Sequence, residues 1–176
     1  MSQILINRQI DSILEFHKID LGNDYERYRN HVYRVLNYSL PHLKTNEELE
    51  KIAIAAAFHD IGIWTKHTLD YLKPSIELAH AYCKKQNIDG TVAFEIEQII
   101  DNHHKLTTMK SSNLAETFRK ADLTDLTFGL KHKLSEIELK SIKNAFPYCG
   151  FHRFLIKLFL KNLIKNPLHP FPIFKI

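Results

Sequence analysis

Apolar residues recur at helical spacing along most of the chain. Val32, Leu36 and Leu40 form an i, i+4, i+8 stripe, and Pro41 is expected to end that helix. No convincing alternation with a period of two, typical of strands, is present. We therefore predict an all-α fold, a single bundle of about eight helices. The predicted helices cover residues 3–17, 25–40, 45–62, 75–87, 91–105, 113–129, 134–146 and 150–166.

The helix predicted over residues 45–62 is the most clearly marked. Thr45 and Glu48 have the spacing of a capping box, and Gly62 is expected to stop the helix. Between them lies "IAIAAAF", which is apolar on nearly every side. A helix without a polar face has to be surrounded by other elements, so we expect this one at the centre of the bundle.

Composition supports one helical domain over residues 1–176. Hydrophobic residues make up 44% of the chain, which is enough for a core, while five glycines and six prolines are few for a many-stranded β protein. The formal net charge is +4, and the lysines and arginines are scattered along the sequence. A nucleic-acid-binding protein concentrates such charge on one face, so no stable nucleic-acid complex is expected.

The sequence favours a soluble, cytoplasmic protein with no membrane partner. Two cysteines do not make a disulfide framework, and the N-terminus lacks the regions of a signal peptide. No apolar run approaches the ~20 residues that span a bilayer. The basic, amphipathic stretch 150–166 could lie on a membrane surface, but its apolar positions fit packing on the bundle equally well, and we favour packing. The sequence leaves the oligomeric state open.

Candidate chemistry centres on "FHDIGI" at 58–63, where a histidine and an aspartate follow the apolar run. Other histidines and acids fall on three more predicted helices, and helices of a bundle can point such residues at one centre. Imidazole and carboxylate groups suit Zn, Mn, Fe, Co or Ni. Asp122 falls four residues after Phe118, at the margin of a buried stripe, where a carboxylate is costly unless it is paired or metal-bound. The candidates are His31, His59, Asp60, His103, His104, Asp122 and Asp125.

This ordered set resembles the HD superfamily of metal-dependent phosphohydrolases, whose pattern is H…HD…D. Here the pattern is His31, then "HD" at 59–60, then Asp122, and "HVYR", "HDIG" and "KAD" also look like the family. The resemblance spans about residues 25–130. It implies an all-α fold, with the C-terminal segment 147–176 expected to pack on that core.

The resemblance also implies a site. His31, His59, Asp60 and Asp122 would bind a first divalent transition metal, and Asp60, the expected catalytic residue, could bridge to a second. His103 and His104 are candidates for that second metal or for substrate phosphate. The implied activity is hydrolysis of a small phosphorylated molecule, a nucleotide among the candidates, by a metal-activated water. No "GYP" follows "HH", which counts against cyclic-di-GMP as substrate.

Four further residues could contact substrate phosphate: Lys66, His67, Arg119 and Asp125. Asp125 could instead orient a ligand histidine, and Lys66 and Arg119 could be ordinary surface cations. Residues 64–75 and 103–113 are the expected wall of the pocket. Trp64 could belong to it, although core packing is the favoured interpretation. The other histidines are interpreted as non-ligands: His17, His42, His80, His132, His152 and His169.

Two alternatives to a phosphohydrolase remain. A di-iron oxygenase with the same ligand set would need both metals, and therefore His103 and His104. A metal-stabilised or metal-free binding module would need no open coordination position. The sequence identifies neither the substrate nor the metal.

Overall fold

The computed structural model describes residues 4–108, 112–130 and 134–167, and these ranges contain helices and no β-strand. The all-α prediction is therefore confirmed. Two of the ten α-helices in these ranges, α2 (Lys18–Leu21) and α5 (Gly62–Thr65), are single turns of four residues, so the eight longer helices agree with the predicted number. The helices are α1 Arg8–Phe16, α2 Lys18–Leu21, α3 Tyr25–Ser39, α4 Asn46–Phe58, α5 Gly62–Thr65, α6 Leu72–Lys85, α7 Gly90–Asn102, α8 Asn113–Leu126, α9 Glu136–Ala145 and α10 Phe151–Lys165.

Helix α4 lies at the centre of the bundle, as its apolar sequence predicts. Every residue from Ile52 to Phe58 is buried. Helix α4 packs against α3 and α7, α3 packs against α8, and α7 packs against α8. The four helices that carry the candidate ligands are therefore neighbours in the core, and this packing positions the site.

The end of α4 differs from the prediction. The helix ends at Phe58 rather than at Gly62, because the backbone N–H of Asp60 turns away from the helix and donates to the hydroxyl of Tyr28, 3.3 Å away. Gly62 instead begins the next helix. A Cβ on Gly62 would lie 2.5 Å from the carbonyl oxygen of Tyr71, so glycine is required there by the close approach of two backbone segments.

Side-chain caps set the starts of α4 and α1. The Thr45 hydroxyl accepts from the N–H of Glu48 at 3.1 Å, as predicted. The Glu48 carboxylate, however, accepts from the N–H of Lys44 at 2.5 Å, so the second half of the capping box is not formed at Thr45. Helix α1 begins at Arg8, later than the apolar pattern predicts, because the Asn7 side chain accepts two backbone N–H groups of its first turn.

Helix α10 contacts the bundle through aromatic side chains. The ring of Phe151 stacks on His31 with centroids 4.1 Å apart, and Phe154 stacks on Trp64 at 5.3 Å. Trp64 is buried, and its indole N–H donates to Asp24 at 2.9 Å. Residues 168–176 of the predicted C-terminal segment, with His169, lie outside the described residues, as does His132. A single domain over 1–176 stays a prediction.

The outer face of α10 remains apolar and exposed. Leu160 and Ile164 are 55% and 82% exposed. Among the helices of the described ranges, none combines the length and the apolar character needed to cross a membrane.

Candidate metal centre

Histidine and aspartate side chains from three parts of the bundle meet in its interior. His31 lies in the middle of α3, His59 and Asp60 lie in the turn after α4, and Asp122 lies in the last half of α8. All four side chains are buried, with exposed fractions between 0% and 5%. Because α3 packs against both α4 and α8, residues nearly a hundred positions apart come into contact.

The nitrogen and oxygen atoms of these four residues lie close together. The Nε2 atoms of His31 and His59 are 2.9 Å apart. Asp60 Oδ2 lies 3.7 Å from Nε2 of His31 and 3.4 Å from Nε2 of His59. Asp122 Oδ1 lies 3.5 Å and 3.8 Å from the same two nitrogens. The structure therefore brings the four predicted ligands of the first metal together.

The hydrogen bonds on the far side of each ring show which atoms face the centre. Nδ1 of His59 donates to the carbonyl oxygen of Ala56 at 2.8 Å, and Nδ1 of His31 donates to the carboxylate of Asp125 at 2.7 Å. Each Nε2 consequently presents a lone pair. Two lone pairs facing each other at 2.9 Å repel unless a proton or a metal ion lies between them. With two carboxylates beside them, the arrangement fits a divalent transition metal.

A second group of ligands shares Asp60. Nε2 of His103 lies 3.3 Å from Asp60 Oδ1, and neither buried atom has a hydrogen-bond partner among the described residues. Nδ1 of His103 donates to the carbonyl oxygen of Ile100 at 2.6 Å, and Nε2 faces Asp60. Burial would lower the pKa of His103, but Asp60 raises it, so a metal ion bound here would displace a proton from Nε2. Asp60, His103 and His104 offer ligand atoms within 4.8 Å of one another. One oxygen of Asp60 thus faces each group, which is the arrangement a bridging carboxylate needs.

Burial and mutual charge set the protonation of the ligands. Burial lowers the pKa of His59 to about 3 and raises the pKa of Asp122 to about 7. Burial would also raise the pKa of Asp60, but His59 and His103 outweigh it and hold that pKa well below its usual range. At neutral pH His59 is neutral and Asp60 ionised, the forms that bind metal, while Asp122 is about half protonated and would release its proton when a metal binds.

Asp125 supports His31 from behind. Its carboxylate is fully buried and also receives Nε of Arg34 at 2.5 Å and Nη2 at 2.9 Å. Burial would raise the pKa of Asp125, but His31 and Arg34 lower it to about 2. An ionised Asp125 keeps the proton of His31 on Nδ1 and fixes the ring orientation, the usual role of a carboxylate behind a ligand histidine. The structure thus places Asp125 against His31, outside the cavity that Asp60 and Asp122 line.

The other predicted phosphate contacts lie elsewhere. The guanidinium of Arg119 forms two 2.8 Å contacts with Glu116 and donates to the carbonyl oxygen of Lys105 at 3.3 Å. Lys66 and His67 follow α5 and are exposed. None of these three predicted residues lines the cavity beside Asp60 and Asp122.

A cavity of about 270 Å³ adjoins the centre, and Asp60 and Asp122 form part of its wall. Tyr71, His104 and His152 supply the other polar side chains of that wall. Among the described residues, no lysine or arginine lines it. The apolar part of the wall consists of Ile63, Leu69, Leu126, Phe128, Leu155, Ile156 and Phe159.

Two polar residues of this cavity, Tyr71 and His152, were not among the site residues predicted from the sequence. The Tyr71 hydroxyl lies 2.6 Å from Nε2 of His104, and Nε2 of His152 donates to the carbonyl oxygen of Asp125 at 2.9 Å. Tyr71 falls in the stretch 64–75 expected to form the wall, but nothing in that stretch distinguished it from its neighbours. His152 has no motif partner, and only the packing of α10 over the centre brings it there.

Comparison with protein families matches residues 28–140 to the HD domain, which is more than half of the chain. The chain therefore belongs to the HD domain family, and the predicted membership is confirmed. Members of this family are mostly metal-dependent hydrolases, and HD domains bind divalent metals. No curated protein and no solved structure matches the chain.

Proposed function

We propose that this protein is a metal-dependent phosphohydrolase that cleaves a phosphoester of a small molecule. The observation that carries the proposal is the pair of Nε2 lone pairs of His31 and His59, 2.9 Å apart and flanked by two buried carboxylates. A buried cluster of acceptors needs a cation, and the adjoining cavity gives a substrate access to Asp60 and Asp122. A closed site with a purely structural metal would not adjoin such a cavity.

The residues divide into ligands and groups that position them. His31, His59, Asp60 and Asp122 would hold one metal ion, and Asp60, His103 and His104 would hold a second. A divalent metal in such a site lowers the pKa of a bound water towards neutrality and polarises a phosphoryl oxygen. Asp60 contributes to both groups and fixes the distance between them.

Hydrolysis of a panel of phosphomonoesters by metal-loaded protein tests the proposal. We expect turnover that chelation abolishes and that returns with metal, and we expect Asp60→Asn to reduce it to background. Asp20→Asn makes the same chemical change at an exposed carboxylate, which pairs with the buried His17, and serves as the control. Equal turnover in wild type and Asp60→Asn would contradict the proposal.

The second group of ligands favours one alternative, a di-iron oxygenase. Such an enzyme needs both metals, and the close approach of ligand atoms of Asp60, His103 and His104, within 4.8 Å of one another, supports a second one. Iron-loaded protein that consumes oxygen in the presence of a small organic substrate, and that hydrolyses no phosphoester, would select this function. Loss of the oxygen uptake in His103→Ala would assign it to the second group.

A further inference from the structure

We propose that the organic group esterified to the phosphate of the substrate is apolar. The cavity would then accept a small alkyl or aryl phosphomonoester in preference to a nucleotide. This inference rests on the phosphohydrolase function proposed above and names the class of molecule on which that site acts. It follows from three properties of the cavity: its division into a charged and an apolar part, its volume, and the hydrogen bonds that its few polar groups already form.

The two parts of the cavity differ in chemistry. Asp60 and Asp122 stand where the candidate metal ligands meet, and metal ions held there would attract the phosphate. The rest of the wall comes mainly from aliphatic and aromatic side chains of α5, α8 and α10. The organic group of a substrate would thus lie against the apolar part of the wall, and its phosphate would lie at the charged part.

The size of the cavity limits the ester group. Its volume of about 270 Å³ is below the ~300–1,000 Å³ of most small-molecule sites. A base with its sugar would occupy most of this space, whereas a short alkyl chain or a single ring fits it easily. Ile156 and Phe128 line the cavity and are 57% and 54% exposed, so the apolar surface continues outwards to solvent.

Most of the polar groups of the wall are already engaged. The Tyr71 hydroxyl lies 2.6 Å from Nε2 of His104, and His152 donates its Nε2 proton to a backbone carbonyl. Nδ1 of His152 is buried without a hydrogen-bond partner among the described residues, so it could accept one bond from a ligand. The several hydroxyl and base groups of a nucleotide would therefore lose water and gain at most this one further partner. Since no lysine or arginine among the described lining residues could balance further phosphates, polyphosphate chains are disfavoured as well.

Binding of n-alkylphosphonates, from methyl to octyl, to metal-loaded protein tests this inference without requiring turnover. We expect the affinity measured by calorimetry to rise about threefold to fourfold per methylene until the cavity is full, the factor that burial of ~0.8 kcal/mol per methylene gives. An affinity independent of chain length, or no binding by any member of the series, would overturn the proposal.

A matched pair of variants on α10 locates the effect. Ile156 and Leu160 are similarly exposed and lie one turn apart, but only Ile156 lines the cavity. We expect Ile156→Ser to weaken the long-chain phosphonates by about fourfold or more and to leave methylphosphonate unchanged. Leu160→Ser is expected to leave the whole series unchanged. Equal effects of the two substitutions would overturn the assignment of the cavity.

Turnover of the corresponding alkyl phosphates separates this inference from the proposed function. If hydrolysis occurs and hexyl phosphate has a higher kcat/KM than nucleoside monophosphates, both stand. If hydrolysis occurs but favours nucleotides, the phosphohydrolase function stands and the apolar substrate is refuted. If phosphonates bind with the expected chain-length dependence and no phosphoester is cleaved, the ligand class is supported and the proposed function fails.

Discussion

Replacement of Asp125 by asparagine tests whether the buried ion pair behind His31 supports both the fold and the metal centre. The carboxylate and the guanidinium of Arg34 are both fully buried. Asparagine keeps one acceptor for Arg34 but removes the negative charge. Breaking a buried pair from one side typically costs ~3–5 kcal/mol. Arg34 retains the carbonyl oxygen of Phe146 at 3.0 Å and the ring of Tyr148 at 4.4 Å, so we expect about 3 kcal/mol, the lower end of that range.

The substitution also acts on the metal site through His31. An amide that presents its N–H₂ to Nδ1 of His31 forces the ring proton onto Nε2, the atom that faces the centre. Loss of a carboxylate behind a ligand histidine typically weakens metal binding by ~10–100-fold. We expect a reduction of this order in calorimetric metal titrations of the folded variant.

Urea unfolding of metal-free protein, followed by circular dichroism, measures the stability change. A loss of about 3 kcal/mol corresponds to a decrease in Tm of roughly 6–12 °C for a chain of this size. Asp11 forms the matched control, because its 2.9 Å pair with Nε of Arg29 is partly exposed. Asp11→Asn is expected to cost at most about 1 kcal/mol. If Asp125→Asn costs no more than the control and binds metal as wild type does, the role assigned to Asp125 is wrong.

Three further results are expected. Gly62→Ala should lower the free energy of unfolding by about 1–3 kcal/mol in the same urea assay, because its Cβ would meet the Tyr71 carbonyl at 2.5 Å, whereas Gly90→Ala, with nothing within 4 Å, should not destabilise the protein. The pKa of Asp125 is lowered to about 2, so this carboxylate contributes stability above pH ~4 that is lost as the pH falls through 2. Between these two pH values the free energy of unfolding should therefore decrease less in Asp125→Asn than in wild type. An equal decrease in the two proteins would refute this prediction. Metal affinity, measured by titration at successive pH values, should decrease as the pH falls below about 7, because burial raises the pKa of Asp122 to about 7 and the metal must then displace its proton; an affinity that does not change from pH ~8 to pH ~5 would argue against ligation by Asp122.

The helices could be predicted from the sequence, because their apolar faces follow the 3.6-residue period. The run Ile52–Phe58 could only belong to a central helix, and the structure confirms this. The turn at 59–61 could not be predicted in the same way. It depends on the hydroxyl of Tyr28 and on the contact between Gly62 and Tyr71, and both involve residues distant in sequence.

The candidate ligands could also be found, since the spacing of His31, "HD" and Asp122 carries a family resemblance. The residues that surround these ligands could not be predicted. Asp125 appeared as one of several acids on α8, and only the fold shows that it contacts both His31 and Arg34. Periodicity gives α10 an apolar face but does not say that part of this face forms the wall of a cavity beside the site. The pairing of Arg119 with Glu116 likewise depends on side-chain directions that the sequence does not fix.

Metal content of protein purified without an affinity tag shows whether the buried histidines and aspartates form a metal site. Mass spectrometry would measure the metal content of wild type, His59→Ala and His80→Ala. His59 is a buried candidate ligand, whereas His80 is an exposed histidine that pairs with Glu97 at 2.9 Å and serves as the control. We predict one or two equivalents of a divalent transition metal in wild type and in His80→Ala, and a loss of metal in His59→Ala. Wild-type protein that holds no stoichiometric metal after dialysis against Mn, Fe, Co, Ni and Zn would contradict the account, and so would His59→Ala protein that retains the full amount.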